Sequence, residues 1–299
     1  MGFMTAMKAN KALRLQKNGD FDEAQKLYEE AFAEGINDPR YLLPYALMLI
    51  RKGEYQKAKE FLVKHQRVPM APQQRTDLLV YYATCAFRLG DVDKGIHTLE
   101  QQFRKNETGL IYQTLGYLYV EKYDRRNTPD FAALEAERKA EEAAKAAQAE
   151  EESPAEDGAE ESPAEAAAET PEGEEAAAAE PVLSPEEEWN AGIGKAEAFI
   201  RASLEYDDED AICLDNMGQF LYRVQGDKTA AKEWFDKALA LKPNQIDTLY
   251  FLSRYDLDAG DKKAALEKLE TAAEGRFSPL NYCSREAVLK EIEELKGEQ

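Results

Sequence analysis

Five glycines punctuate the chain at a near-constant interval, and an acid follows each at once: Gly19-Asp20, Gly53-Glu54, Gly90-Asp91, Gly226-Asp227 and Gly260-Asp261. Successive turns are 34 and 37 residues apart in the first run and 34 apart in the second. A small residue follows each turn near the start of the next segment: Ala24, Ala58, Gly95, Ala231 and Ala265. One helical turn later comes a large apolar one: Tyr28, Leu62, Leu99, Phe235 and Leu269. Around the fourth turn, Ile212, Met217, Leu221 and Val224 precede the glycine, and Ala231, Trp234, Phe235, Ala238 and Leu241 follow it. That is the helical period on both sides. Pro243 closes the second helix because its ring cannot continue the backbone ladder. Gly218 stands mid-helix, where glycine costs about 1 kcal/mol against alanine, so a neighbouring helix is expected to pass too close for a larger side chain. One helix pair of this size cannot bury its own apolar faces, so the pairs must stack in a row.

A helix–turn–helix unit of about 34 residues resembles the tetratricopeptide repeat. The resemblance covers nearly everything outside residues 125–192. It implies an all-α fold, a right-handed α-solenoid whose concave surface is built mainly from the first helix of each repeat. The expected organisation is repeats 1–3 and the first helix of repeat 4 over residues 5–124, an acidic insertion over 125–192, the second helix of repeat 4 with repeats 5–6 over 193–280, and a C-terminal capping helix over 283–297. The fourth repeat is the broken one. Tyr112, Leu115, Gly116 and Tyr119 read as its first helix, and the matching second helix appears only after residue 188, through Ala196, Phe199, Ile200 and Leu204. Pro44 falls inside the first helix of repeat 2 and predicts a kink or a late helix start.

The net charge of −21 belongs almost entirely to the insertion. Between Asp130 and Glu188 there are 21 acidic and 3 basic residues. The repeats are therefore nearly balanced, and without a basic face they are not expected to bind nucleic acid. Thr128-Pro129 opens a helix expected over 129–152, exposed and rich in Ala, Glu and Lys, with Glu135/Lys139 and Glu141/Lys145 at i,i+4. Residues 153–185 are Glu, Ala, Pro and Ser with few large apolar side chains, a composition expected to stay disordered. The insertion reads as a spacer, as a lure for a basic partner, or as a pseudo-ligand folding back on Arg88 or Arg254.

No catalytic, cofactor-binding or metal-ligating set emerges. Gly192-Ile193-Gly194-Lys195 resembles the end of a phosphate-binding loop, but position 189 is Trp and Ala196 follows the lysine. His65 and His97, the two histidines, lie in different repeats. Cys85, Cys213 and Cys283 are far apart, form no C-x-x-C pair and fit a reducing compartment. The chain has neither a membrane-spanning apolar run nor a signal-like N-terminus, and a cytosolic protein is expected.

First-helix residues that fall off the core pattern are expected to line the groove. These are Leu43, Leu47, Val80, Tyr81, Thr84, Phe87, Arg88, Gln113, Tyr117, Asn216, Gln219, Tyr222, Tyr250 and Arg254, an aromatic and polar mixture suited to a peptide or helix of another protein. Where some members of the family hold a C-terminal carboxylate with Lys and Asn, this chain has Ala9, Leu13, Pro44, Asp77 and Tyr81, so that clamp is missing. The expected function is a non-enzymatic protein–protein interaction scaffold or adaptor. The alternative is a dedicated regulatory or chaperone-like subunit of an enzyme complex.

Overall fold

The computed structural model describes residues 3–151 and 183–297, and every regular element among them is helical. In chain order these are α1 (Phe3–Asn18), α2 (Phe21–Ala33), α3 (Pro39–Arg51), α4 (Tyr55–His65), α5 (Pro72–Arg88), α6 (Val92–Phe103), α7 (Gly109–Tyr123), α8 (Phe131–Glu151), α9 (Pro185–Tyr206), α10 (Ala211–Gln219), α11 (Lys228–Leu241), α12 (Ile246–Asp258), α13 (Lys262–Ala273) and α14 (Arg285–Gly297). They divide between a larger unit, residues 1–127 with 193–299, and a smaller one, residues 128–192.

The larger unit is a solenoid of antiparallel pairs. α1 packs on α2, α3 on α4, α5 on α6, α10 on α11 and α12 on α13, with α14 against α13. The first helices α1, α3, α5, α7 and α10 contact one another in succession. The small and large residues of the repeating pattern sit where helix meets helix. Ala24, Tyr28, Ala58, Leu62, Leu99, Ala231, Phe235, Ala265 and Leu269 are fully buried.

All five turns close on a glycine of the same conformation. Gly19, Gly53, Gly90, Gly226 and Gly260 all take positive φ, between 77° and 91°, the left-handed conformation that closes a helix and that a Cβ disfavours. The next residue then returns its N–H to the helix just ended: Asp20 to Leu15 O, Glu54 to Leu49 O, Asp91 to Ala86 O and Asp261 to Asp256 O. The aspartates at three turns also cap the helix that follows, Asp91 accepting from Lys94 N, Asp227 from Ala230 N and Asp261 from Ala264 N. One Gly-Asp step thus satisfies orphan carbonyls behind it and orphan N–H groups ahead.

The fourth turn departs from the others by one residue. After α10 the backbone widens into a π-helical segment, Phe220–Gln225, and Asp227 N reaches Leu221 O rather than residue 222. The extra residue rotates the side chains that follow. Arg125 closes this helix end, its guanidinium donating to Tyr222 O and Arg223 O at 3.2 Å each. Gly218 stands where expected: a Cβ there would lie 2.7 Å from the Phe235 ring of α11. Pro44 neither delays nor ends its helix. α3 starts at Pro39, with Asp38 capping Arg40 N, and runs through Pro44, since a proline one turn and a half in removes a single hydrogen bond.

α9 presses Phe199 on Phe103, Tyr112 and Tyr119, with ring centroids 5.2, 5.1 and 5.5 Å apart. It buries Ala196 and Ile200, and Lys195 donates to Glu100 at 2.6 Å. In the smaller unit α8 starts at Phe131, capped by Asp130, which accepts from Ala132 N and Ala133 N. The cap is therefore two residues later than Thr128-Pro129 suggested. α9 likewise begins at Pro185, ahead of residue 188, because Ser184 and Glu187 form a reciprocal capping box. Of the stretch expected to be disordered, residues 153–182 lie outside the described residues, and 183–185 lead into this cap.

Candidate protein-interaction site

Two cavities open along the row of first helices. Leu13 of α1, Leu43, Pro44 and Leu47 of α3, and Tyr81 of α5 line one of about 580 Å³, together with Lys17, Arg51 and Arg276. Among the described residues no acidic side chain pairs with Arg51 or Arg276. Burial lowers the Arg51 pKa, and the like charge of Arg276 lowers it further. The wall is thus aliphatic and aromatic, and its rim is basic and uncompensated.

Next along the row lies a buried ionic cluster. The widened turn directs Arg223, 4% exposed, inward, where it donates to Asp124 at 2.8 Å, Gln219 at 2.8 Å and Glu121 at 2.7 Å. Arg126 donates to the same Asp124. Burial pushes the Asp124 carboxyl up, but the hydrogen bonds from Arg126 and Arg223 overcome it and hold the group at about 2. The Tyr282 ring covers Arg223, with the guanidinium carbon 4.3 Å from the ring centre. Tyr282 comes from the connection between α13 and α14, which therefore runs across this face and does not turn straight back.

The second cavity, of about 420 Å³, lies beside that cluster, between α7, α10, the start of α12 and the same connection. Asp215 and Asp247 line it, 3% and 5% exposed. Asp215 accepts from Thr248 at 2.5 Å and Gln219 at 2.7 Å. Asp247 accepts from Tyr282 N at 3.1 Å. Burial raises both carboxyls, and the charge of Asp215 raises Asp247 further. Gln245, also on the wall, donates through Nε2 to Ala211 O, while its Oε1 is buried with no partner among the described residues.

The expected groove residues distribute unevenly. Tyr81 lines the first cavity, and Gln113, Tyr117 and Asn216 line the second. Asn216 donates to Gln113 O at 2.9 Å, tying α10 to α7. Thr84 and Gln219 are buried and satisfied internally, Thr84 by Val80 O and Gln219 by Asp215 and Arg223, so they offer no surface. Phe87 meets Tyr117 edge to face, and Arg88 is exposed over the Tyr55 ring. Tyr222 packs on Phe251 and Tyr255. Tyr250 packs on Tyr282, and Arg254 lies over Tyr250 and pairs with Glu291 of α14. The C-terminal segment of the chain therefore covers this end of the row.

Other polar and reactive groups are structural. His65 Nδ1 lies 2.8 Å from Phe61 O, its ring packed on Phe61 and Phe32, and burial lowers its pKa. Cys85, Cys213 and Cys283 are free and buried, their thiols pushed up to about 12 by burial. Lys195, after the two glycines, lies within helix α9. No group of three or more His, Cys, Asp or Glu among the described residues could hold a metal ion. None of the described helices is long and apolar enough to cross a membrane.

Sequence analysis did not single out Asp124, Asp215, Asp247, Arg223, Gln245, Arg276 or Tyr282. The one available signal was an acid and an amide at i,i+4, Asp215 and Gln219, inside a short, largely apolar helix.

Residues 17–102 match the family described as "Anaphase-promoting complex, cyclosome, subunit 3", whose repeats are of the tetratricopeptide type. No curated protein matches the sequence. Among solved structures, a monomeric mutant of IFIT1 with Gppp-AAAA superposes with a TM-score of 0.55 at 13% identity, over 96% of this chain and 54% of that one. A second structure of monomeric IFIT1, with m7Gppp-AAAA, gives 0.54 at 13% identity, over 96% and 54%. A thermophilic tetratricopeptide protein of Thermus thermophilus gives 0.45 at 13% identity, over 98% of both chains. The chain thus spans about half the length of IFIT1 and shares its fold.

Proposed function

We propose that this tetratricopeptide-repeat protein is a non-enzymatic interaction scaffold that holds an acidic, partly apolar peptide of another protein along the inner faces of α1, α3 and α5. One observation carries the reading. Among the described residues Arg51 and Arg276 stand without acidic partners, beside an apolar wall of Leu13, Leu43, Leu47 and Tyr81. An uncompensated pair of guanidiniums next to aliphatic surface suits a carboxylate-bearing segment: the arginines supply orientation and the wall supplies buried area. The partner would act in the cytosol, in keeping with three free cysteines.

We also read α7 and α9 as the two helices of one interrupted repeat, with the 128–192 unit entering at its tip. Phe199 against Tyr112 and Tyr119 supports this. A hairpin tip is where a long excursion costs least.

Peptides selected from a random display library on the intact chain test the groove. The reading expects acidic-apolar sequences, with the Arg51→Glu, Arg276→Glu double variant weakening them about tenfold or more. Selection of no sequence above background, or undiminished binding to the charge-reversed chain, would overturn it.

A further inference from the structure

The second cavity holds an arrangement that the interaction scaffold does not use. Two carboxylates, Asp215 and Asp247, are almost wholly removed from solvent on its wall. Among the described residues neither has an ion-pair partner. The nearest buried cation, Arg223, spends its donors on Asp124, Glu121 and Gln219. A third acceptor, Gln245 Oε1, is buried with no hydrogen bond among the described residues. Unpaired buried acceptors are costly and uncommon in folded proteins. Two buried carboxylates without a counter-ion and one acceptor without a hydrogen bond, all on one cavity of about 420 Å³, make an acceptor-rich wall, and such a wall is completed by a cationic group that donates.

We propose that this cavity is a binding site for a cationic nitrogen, an ammonium or guanidinium, seated between Asp215, Asp247 and Gln245 Oε1. Two carboxylates in one desolvated site cannot readily ionise together. A cation between them removes that conflict and supplies the donors that Gln245 lacks. The rim narrows the choice of ligand. Lys242 and Arg276 also line the cavity, and both are exposed. A polyamine would leave its second charge against these cations, whereas a ligand that is anionic or neutral away from its cationic end would not. Arginine and lysine, free or as a residue of a peptide, meet both conditions.

The site stands apart from the groove of α1, α3 and α5, although Arg276 reaches both. Titration calorimetry on the full chain, with L-arginine, L-lysine and blocked tripeptides centred on either residue, tests it. Citrulline and norleucine serve as neutral isosteres and spermidine as the polycation. Saturable one-to-one binding of an arginine or lysine probe is expected, at least about tenfold tighter than its neutral isostere, with spermidine weaker. Binding of the free amino acids marks a small-molecule site; binding of the tripeptides alone marks a side-chain pocket for a partner. Asp247→Asn and Asp215→Asn keep the side-chain shape and should each lower the affinity about tenfold or more without lowering the Tm. The proposal is overturned if no cationic probe binds at millimolar concentration, if citrulline or norleucine binds as well, or if both Asn variants fold and bind unchanged. Arg51→Glu disturbs only the first cavity and should leave this binding intact, so the two readings fail separately.

Discussion

Arg223 Nε donates to Asp124 Oδ2 at 2.8 Å across 99 residues of sequence, and the two side chains are 3% and 4% exposed. The bond joins the widened turn after α10 to the end of α7. Glu121 and Gln219 complete the guanidinium's partners. The bonds to Asp124 and Glu121 tie one repeat to another within the larger unit.

Replacing Arg223 with Met should therefore cost more than any surface ion pair. Truncation removes the cation from Glu121 and leaves Asp124 with Arg126 alone in a largely desolvated site, a loss of about 3 kcal/mol. Urea denaturation followed by circular dichroism measures it. Asp124→Asn combined with Arg223→Met should lose clearly less than the sum of the single losses, because the two groups are directly coupled. Additive losses would show that the cross-tie does not act as a unit.

Stability should respond to pH in two opposite ways. Asp124 is held at about 2, below its ordinary 3.8, so the unfolded chain binds the extra proton and this contribution is present above about 3.8 and lost as pH falls toward about 2. Asp215 and Asp247 are raised above 3.8, so the folded chain binds the extra proton and their contribution is present below that value and declines as pH rises toward neutral. Denaturation across pH 2–8 should show both limbs. Asp124→Asn should flatten the acid limb, while Asp247→Asn should flatten the other and raise stability at neutral pH. A neutral-side decline that survives in Asp247→Asn and Asp215→Asn alike would contradict the assignment.

Two glycines inside helices should respond oppositely to alanine. At Gly218 a Cβ would meet the Phe235 ring at 2.7 Å, and crowding a packed core costs about 1–3 kcal/mol. At Gly194 nothing lies within 4 Å, and alanine should stabilise the helix by up to about 1 kcal/mol. The midpoints of thermal unfolding for the two variants decide the matter. A stabilised Gly218→Ala would mean that Phe235 moves aside at no cost.

Much of this fold was legible in the chain alone. Gly-Asp turns and a small-then-large pattern one helical turn apart are local signals, and each repeat contacts mainly its neighbours, so local signals repeated in order specify a stacked array. Gly218 announced a close helix contact before the partner, Phe235, was known. The start of α9 was legible too, in Ser184 and Glu187, but residues rich in Glu and Pro concealed the capping box. The groove was less legible. Thr84 and Gln219 fall off the apolar pattern yet are buried, because a helix in a solenoid is covered on more than one side and short polar groups can be satisfied by their own backbone or by a neighbouring repeat.

The periodicity of the sequence by itself determined that the chain is helical and which helices flank each Gly-acid turn. Only the tertiary structure decided which polar groups meet: Arg223 with Asp124, Asp215 beside Asp247 and the unpaired Gln245 Oε1, Tyr282 laid over the guanidinium. The reason is one of range. Helix pairing is written in spacings of three, four and about 34 residues, whereas these contacts depend on the one-residue widening after Gln219 and on the path from α13 to α14 across the face. Neither leaves a periodic trace.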